Sequence, residues 1–208
     1  QSVYREWFGQ ANAESLPEGW DVVNLADVVD VNPTSIKNGN EPQEINYVDI
    51  ASVSTGQIDL IQPMQFSEAP GRARRIVQHG DVIWSTVRPN RKSYSLIINP
   101  PKNMIVSTGF AVLRAKNIPF SYLYQATTTD DFVDYLTNHA TGSAYPAVNS
   151  SDFENAEIVL PPKELIVRFD EIVTPIFSLR ENLMAKNANL RRTRDMLLPR
   201  LVGGEVAV

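Results

Sequence analysis

LPPKELIVRFDEIVTPIFSLRENLMAKNANLRRTRDMLLPRL (residues 160–201) keeps an apolar period that neither a strand nor a loop would hold over such a length. Leu165, Phe169, Ile172, Ile176, Leu179, Leu183, Lys186, Leu190, Thr193 and Leu197 follow one another at alternating gaps of four and three, and only Lys186 and Thr193 are polar. That is the a/d seam of a coiled coil over more than four heptads. Pro161 and Pro162 stand where a helix begins, and Pro199 with Gly203-Gly204 stands where it closes. Pro175 falls inside and removes one backbone hydrogen bond. A helix from Leu165 to Leu197 makes a rod of roughly 50 Å, whereas a compact domain built from the preceding residues has a radius of gyration near 15 Å. Two readings follow: the helix folds back on its own domain, or its seam of Phe169, Ile172, Ile176, Leu179, Leu183, Leu190 and Leu197 pairs with another helix. The Arg191-Arg192-Thr193-Arg194 run is too polar for a domain core and favours the second.

Upstream of Leu160 the pattern changes to short strands. Tyr47–Val53, Gln57–Ile61, Asp81–Val87, Tyr94–Ile98, Ile105–Arg114 and Glu157–Leu160 are rich in β-branched and aromatic residues and bounded by turn formers such as Thr55-Gly56 and His79-Gly80. Ser121–Ala126 and Asp130–Ala140 read as helices, the second capped by Thr129, with Phe132, Val133 and Leu136 on its apolar face. The strands do not alternate with helices, so the expected class is α+β: a mixed, strand-rich domain over residues 16–160, followed by a long coiled-coil-forming helix over 161–208, with 1–15 as a preceding tail or linker.

The 208 residues carry 19 Lys plus Arg against 24 Asp plus Glu, a net charge of −5. The charge is not spread evenly. Residues 1–70 carry a net −9, residues 71–120 a net +8, residues 121–160 a net −6 and residues 161–208 a net +2. An acidic protein thus holds one concentrated cationic block, and local potential governs polyanion binding more than net charge does. Within it, Arg72, Arg74 and Arg75 stand close together beside the Pro70-Gly71 turn, and a strand opens into Arg88-Pro89-Asn90-Arg91-Lys92-Ser93-Tyr94. Arg can grip guanine with two hydrogen bonds and Asn adenine, while Lys, Ser and Tyr suit phosphate oxygens. The competing reading is a solvated hairpin edge protected by charge.

Other chemistry finds little support. The chain has no Cys, which removes disulfides and thiol nucleophiles, and its two His lie far apart at 79 and 139. Asn99-Pro100-Pro101 starts like the Asn-Pro-Pro-aromatic motif of amino-methyltransferases, but Lys102 stands in place of the aromatic, and a turn between strands is the better reading. No glycine-rich cofactor loop, Walker loop or nucleophile elbow is present, so no cofactor is expected. No run of about 18 apolar residues exists to cross a membrane, and the N-terminus lacks the pattern of a secretory leader. A cytosolic, cytoplasmic protein is expected.

With these pieces in order, the chain resembles the specificity (S) subunit of type I restriction-modification enzymes. Leu16-Pro17-Glu18-Gly19-Trp20 looks like the entry to a target-recognition domain of that family, and Gly80-Asp81-Val82-Ile83-Trp84-Ser85-Thr86-Val87-Arg88-Pro89 like its middle stretch. Ser107-Thr108-Gly109-Phe110 and Thr141-Gly142-Ser143-Ala144-Tyr145-Pro146 match two recurrent turns, and Leu160-Pro161-Pro162 with the Leu190–Leu201 stretch resembles the conserved spacer helix. Tyr4-Arg5-Glu6-Trp7-Phe8 looks like the tail of a preceding spacer. A full subunit has two recognition domains and two antiparallel spacers, so this chain resembles half of one. The resemblance implies a non-catalytic reader of one half of a bipartite double-stranded DNA target. Its DNA-binding residues would be Arg72, Arg74, Arg75, Arg88, Asn90, Arg91, Lys92 and Tyr94, with Thr141, Ser143 and Tyr145 as a second set. Its partners would be methyltransferase (M) subunits, through them the restriction (R) subunit, and a second spacer helix, from another copy or from a missing half. The alternatives are the recognition domain of a fused type IIG enzyme, or an α+β enzyme with a helical dimerisation arm.

Overall fold

A computed structural model of the chain describes residues 2–9 and 16–203. The chain enters through a short helix, α1 (Ser2–Phe8), and the strand β1 (Asp21–Asn24). One helical turn, α2 (Leu25–Val28), leads to β2 (Val29–Val31), and β3 spans Glu44–Val48. A small hairpin of β4 (Val53–Ser54) and β5 (Gln57–Ile58) precedes β6 (Gln62–Gln65) and β7 (Ala73–Ile76). Then come β8 (Val82–Ser85), β9 (Tyr94–Leu96), β10 (Met104–Ser107) and β11 (Phe110–Ala115). Helices α3 (Phe120–Ala126), α4 (Asp130–His139) and α5 (Ser150–Glu154), strand β12 (Glu157–Leu160) and the long helix α6 (Lys163–Val202) complete the order. The class is α+β, as expected from the sequence.

Two four-stranded sheets carry the domain, in the orders β6-β3-β10-β7 and β2-β11-β8-β9, while β1 pairs with β12. Every pair is antiparallel except β3–β10, where Tyr47 stands beside Ile105. The sheets share a core in which Val48 and Val106 of the first meet Ile83, Phe110 and Val112 of the second, all at most 1% exposed. Buried strands on both faces explain why β8 reads as an unbroken apolar run rather than an alternation. The outer face of the second sheet presents Trp84, whose ring packs 4.6 Å from Tyr94 and 6.0 Å from Phe132, and whose Nε1 donates to the Thr127 carbonyl at 2.9 Å.

The Gly80-Asp81 pair acts as a clamp. Gly80 takes a φ of +88° at the turn into β8, and Asp81, 1% exposed, accepts both Nε (2.8 Å) and Nη2 (2.7 Å) of Arg114 and the main-chain N–H of Gln78. Its hydrogen bonds raise the Arg114 guanidinium further above its usual range. A bidentate, nearly dry pair of this kind is costly to break because one charge is left uncompensated.

A compact unit runs through Asp170, and a second begins at Glu171. In the first, α1 and the opening turns of α6 build an aromatic cluster. Phe8 lies 5.0 Å from Phe169, 5.3 Å from Tyr122 and 5.9 Å from Trp20. Burial pushes the Tyr4 phenol up to about 12 and the Tyr122 phenol further still. In the second unit, Ile172, Ile176, Leu179, Leu183, Leu190 and Leu197 are 43–67% exposed. Phe169, expected on the pairing seam, is fully buried in the domain instead. From Ile172 to Leu197, about seven turns of helix, these seam residues stay exposed among the described residues. No helix is long and apolar enough to cross a membrane among the described residues.

Several boundaries differ from the sequence reading, each for a local reason. Ile105–Arg114 is not one strand: Thr108-Gly109 divides it between the two sheets, with a register shift at Val106/Ser107 and the Ser107 hydroxyl accepting the Gly109 N–H. Tyr47–Val53 is interrupted by a 3-10 turn at Ile50–Ser52, because Asp49 accepts the Ser52 N–H at 3.0 Å and caps it. Gln57–Ile61 pairs only over Gln57–Ile58. The last helix passes through Pro199 and ends at Val202, just before Gly203 of the expected closing segment; the carbonyl that Pro199 leaves without an N–H partner lies at an exposed helix end, where water can meet it. Thr129 does cap α4, accepting the Phe132 N–H at 3.2 Å, and Asn99, with φ +46°, sits in the expected turn.

Candidate nucleic-acid interface

Four loops that are distant in sequence are joined by a line of main-chain hydrogen bonds. The Thr108 N–H donates to the Arg72 carbonyl at 2.8 Å, and the Gly109 carbonyl accepts both the N–H and the hydroxyl of Thr86 at 2.9 Å. The Thr86 carbonyl accepts the Val148 N–H (2.9 Å), and the Pro146 carbonyl accepts the Arg88 N–H (2.7 Å). Thr141 and Ala147 exchange two hydrogen bonds of 2.9 Å that close the loop between them. A Cβ at Gly109, in the middle, would meet the end of the Ile50 side chain, which would have to shift to admit it.

The loop after β8 has an unusual backbone. Arg88 (φ 52°, ψ 62°) and Lys92 (φ 54°, ψ 38°) are both left-handed, and the Pro89–Arg91 3-10 turn lies between them. Left-handed non-glycine residues cost about 1–3 kcal/mol each and persist where surroundings hold them, typically at binding sites. Here the Arg88 Nη2 donates to the Ala144 carbonyl at 3.0 Å and its guanidinium lies over the Tyr145 ring, 4.5 Å from the centroid. The result projects Asn90 and Arg91 outward; both are exposed.

The residues expected from the sequence divide into three groups. Arg72, Arg88, Asn90, Arg91, Thr141, Ser143 and Tyr145 stand on the joined loops, and all but the half-buried Arg88 are exposed. Arg72 and Arg91 make no ion pair with the described residues. Lys92 is on the same loop but is tied to Asp130 at 2.8 Å, and Asp130 also meets Arg5 at 3.0 Å. The hydrogen bond and charge of Asp130 raise the Lys92 ammonium, and Lys92 in turn holds the Asp130 carboxyl below its ordinary range. The third group, Arg74, Arg75 and Tyr94, is half-buried or buried. Arg74 lies over the Phe66 ring (5.0 Å), and Arg75, the next residue along β7, points to the opposite face. Burial lowers the Arg75 guanidinium, and its Nε has no partner among the described residues. Tyr94 is 7% exposed against Trp84, and burial raises its phenol: its ring is a core element, not a surface contact.

Sequence reasoning left Thr108 out of the candidate set, although it is exposed at the centre of the joined loops. The Ser-Thr-Gly turn at the strand break was its signal. It also missed Asp130 as the counter-charge of Lys92, which no spacing could indicate across 38 residues. A separate cleft of about 890 Å³, lined by Tyr4, Phe132, Asp130, Asp131 and Glu157 among others, has an acidic wall and is ill suited to a polyanion. Among the described residues no three His, Asp or Glu side chains group to hold a metal.

The joined loops thus carry exposed guanidinium groups, an amide, hydroxyls and a cation-backed aromatic ring, bordered by acidic segments, residue types that suit contact with a polyanion. The family model for the type I restriction modification DNA specificity domain matches residues 17–184, and the chain belongs to that family. Over 207 residues it is 23% identical to the MjaIX type I restriction enzyme specificity subunit of Methanocaldococcus jannaschii, covering 94% of this chain and 46% of that protein. The HsdS subunit of Thermoanaerobacter tengcongensis superposes with a TM-score of 0.65 at 32% identity, over 88% of this chain and 46% of that one. A chain solved in work on complex assembly and conformational transition of the type I R-M system gives a TM-score of 0.64 at 32% identity, over 92% and 50%. The chain thus spans about half the length of the relatives it matches.

Proposed function

We propose that this chain reads one half of a bipartite duplex DNA target through the joined loops, and that α6 docks a methyltransferase subunit and pairs with a second spacer helix. The observation that supports the reading is the main-chain joining of the loops that carry Arg72, Thr108, Arg88–Arg91 and Thr141–Tyr145 in a specificity-family domain. Arg72 and Arg91 hold phosphates, and Asn90 stands where an amide reaches base edges. The chain itself is non-catalytic and needs no cofactor; methyl transfer and cleavage belong to the methyltransferase and, beyond it, restriction subunits, in the cytoplasm where the DNA is. The exposed Ile172–Leu197 seam supports pairing, either with a second copy or with the spacer of another half.

Selection from a random duplex pool tests the recognition. The chain should enrich one short sequence element, and replacing Arg72, Arg88 and Arg91 together by Ala should lower the dependence of log K on log salt by up to about three. Unchanged affinity and salt slope in that triple variant would place DNA on another face.

A further inference from the structure

We infer that Tyr145 is a stacking wedge that enters a base step of the bound duplex, with Arg88 as its positioning residue. The inference deepens the DNA-reading role proposed above and rests on it. Tyr145 is 68% exposed in the loop between Thr141 and Ala147. The loop is not slack. Its base is closed by the Thr141–Ala147 hydrogen bonds, and Gly142 takes a φ of +102° with the Tyr145 carbonyl only 3.3 Å from where a Cβ would stand. Arg88 braces the ring from one side, held in place by its own left-handed backbone, by its N–H on the Pro146 carbonyl and by its Nη2 on the Ala144 carbonyl.

The ring is therefore presented in a fixed direction, and its edge and second face are left to solvent. A cation stacked on one face draws electron density and favours an electron-rich planar partner on the other. Exposed Arg91 and Arg72 on the joined loops specify an anionic partner as well. A flat π-surface attached to a polyanion is a nucleobase. Side chains that enter a duplex partly unstack a step and kink it, and stacking is tolerant of which base it meets. Tyr145 would then contribute affinity and read deformability, which is greatest at pyrimidine–purine steps, while Asn90 and the arginines read edges and phosphates. The phenolic hydroxyl is dispensable in this role.

The test uses the full chain and the duplex it selects from a random pool, with 2-aminopurine walked through that duplex one position at a time. A fluorescence rise at one step, lost in Tyr145→Ala and retained in Tyr145→Phe, is the expected result. Tyr145→Ala should also weaken the selected duplex roughly 10- to 100-fold at unchanged salt slope. Arg88→Lys should reduce the fluorescence rise while Tyr145 is intact, a signature that general loosening of the loop would not confine to one step. Specific binding with no 2-aminopurine signal at any step, or a signal that survives Tyr145→Ala, overturns the wedge and leaves the DNA-reading role standing. Failure to enrich any sequence brings down both.

Discussion

Phe169 and Leu183 occupy the same seam of one helix, two heptads apart, and meet opposite ends. Phe169 is wholly buried among Tyr4, Trp7, Phe8 and Tyr122, whereas Leu183 is half exposed, as are Ile176 and Leu179 before it. The spacing alone would assign both the same role. Periodicity states which face of a helix is apolar, but not what covers that face. The covering group at Phe169 comes from α1 and α3, elements that no heptad in α6 could announce. At Leu183 no described residue covers the side chain, and a stripe of this length left in water is what the proposed pairing would bury.

The sharpest way to break this comparison is a pair of truncations. Phe169→Ala should cost about 3–5 kcal/mol in urea unfolding because it opens a cavity in a packed aromatic cluster. Leu183→Ala in the dilute chain should stay within about 0.5 kcal/mol, as exposed substitutions do. Equal losses at the two sites would erase the distinction. A charge at Leu183 sharpens the other half. Leu183→Glu should leave the domain's unfolding midpoint in place yet reduce association at least tenfold, read by light scattering at tens of micromolar, alone and with a partner spacer. Indifference of association to that change would mean that the seam is covered by neither.

The smallest expected effect concerns the joined loops. Asp130 and Lys92 are both well exposed, so their pairing is a weak contact, but it withdraws a cation from the joined loops. Asp130→Asn should tighten duplex binding less than tenfold and steepen the salt dependence by up to about one, as Lys92 becomes available to phosphate. The pH behaviour has a definite sign. Asp130 titrates below the ordinary aspartate range, so its contribution is present above that range and fades only as pH falls through the lowered value. Lys92 titrates above the ordinary lysine range, so its side is complete below that range and lost only as pH rises past the raised value. The withdrawal therefore holds throughout neutral pH, and fluorescence anisotropy between pH 6 and pH 8 should show no change attributable to it.

Much of the scaffold was legible because its strands are fully buried runs and its helices carry caps. β12 and the Thr129-capped helix lie where the pattern put them, give or take a residue. Ile105–Arg114 was misread because an apolar run looks the same whether it stays in one sheet or crosses into another; only the Thr108-Gly109 pair marked the crossing. Charge clustering found the loop of Arg88, Asn90 and Arg91, but alternation along β7 sends Arg74 and Arg75 to opposite faces, which a charge count cannot register. Tyr94 looked like a surface tyrosine because its neighbours are polar, yet cross-strand pairing with Trp84 draws it inward.

The seam of hydrogen bonds across the four loops is made almost wholly of main-chain atoms. Peptide groups do not change when side chains do. Arg72, Asn90, Arg91, Thr108 and Ser143 can thus be exchanged without dismantling what aligns them, and substitutions at such exposed positions alter stability by only about 0.5 kcal/mol. Gly142 and Arg88 are the fixed points, held by backbone sign and, for Arg88, by the Tyr145 ring that it braces. Under the proposed role, a lineage carrying this domain could drift in which sequence it prefers while its fold stays constant, so divergence in target need leave no trace in thermal stability.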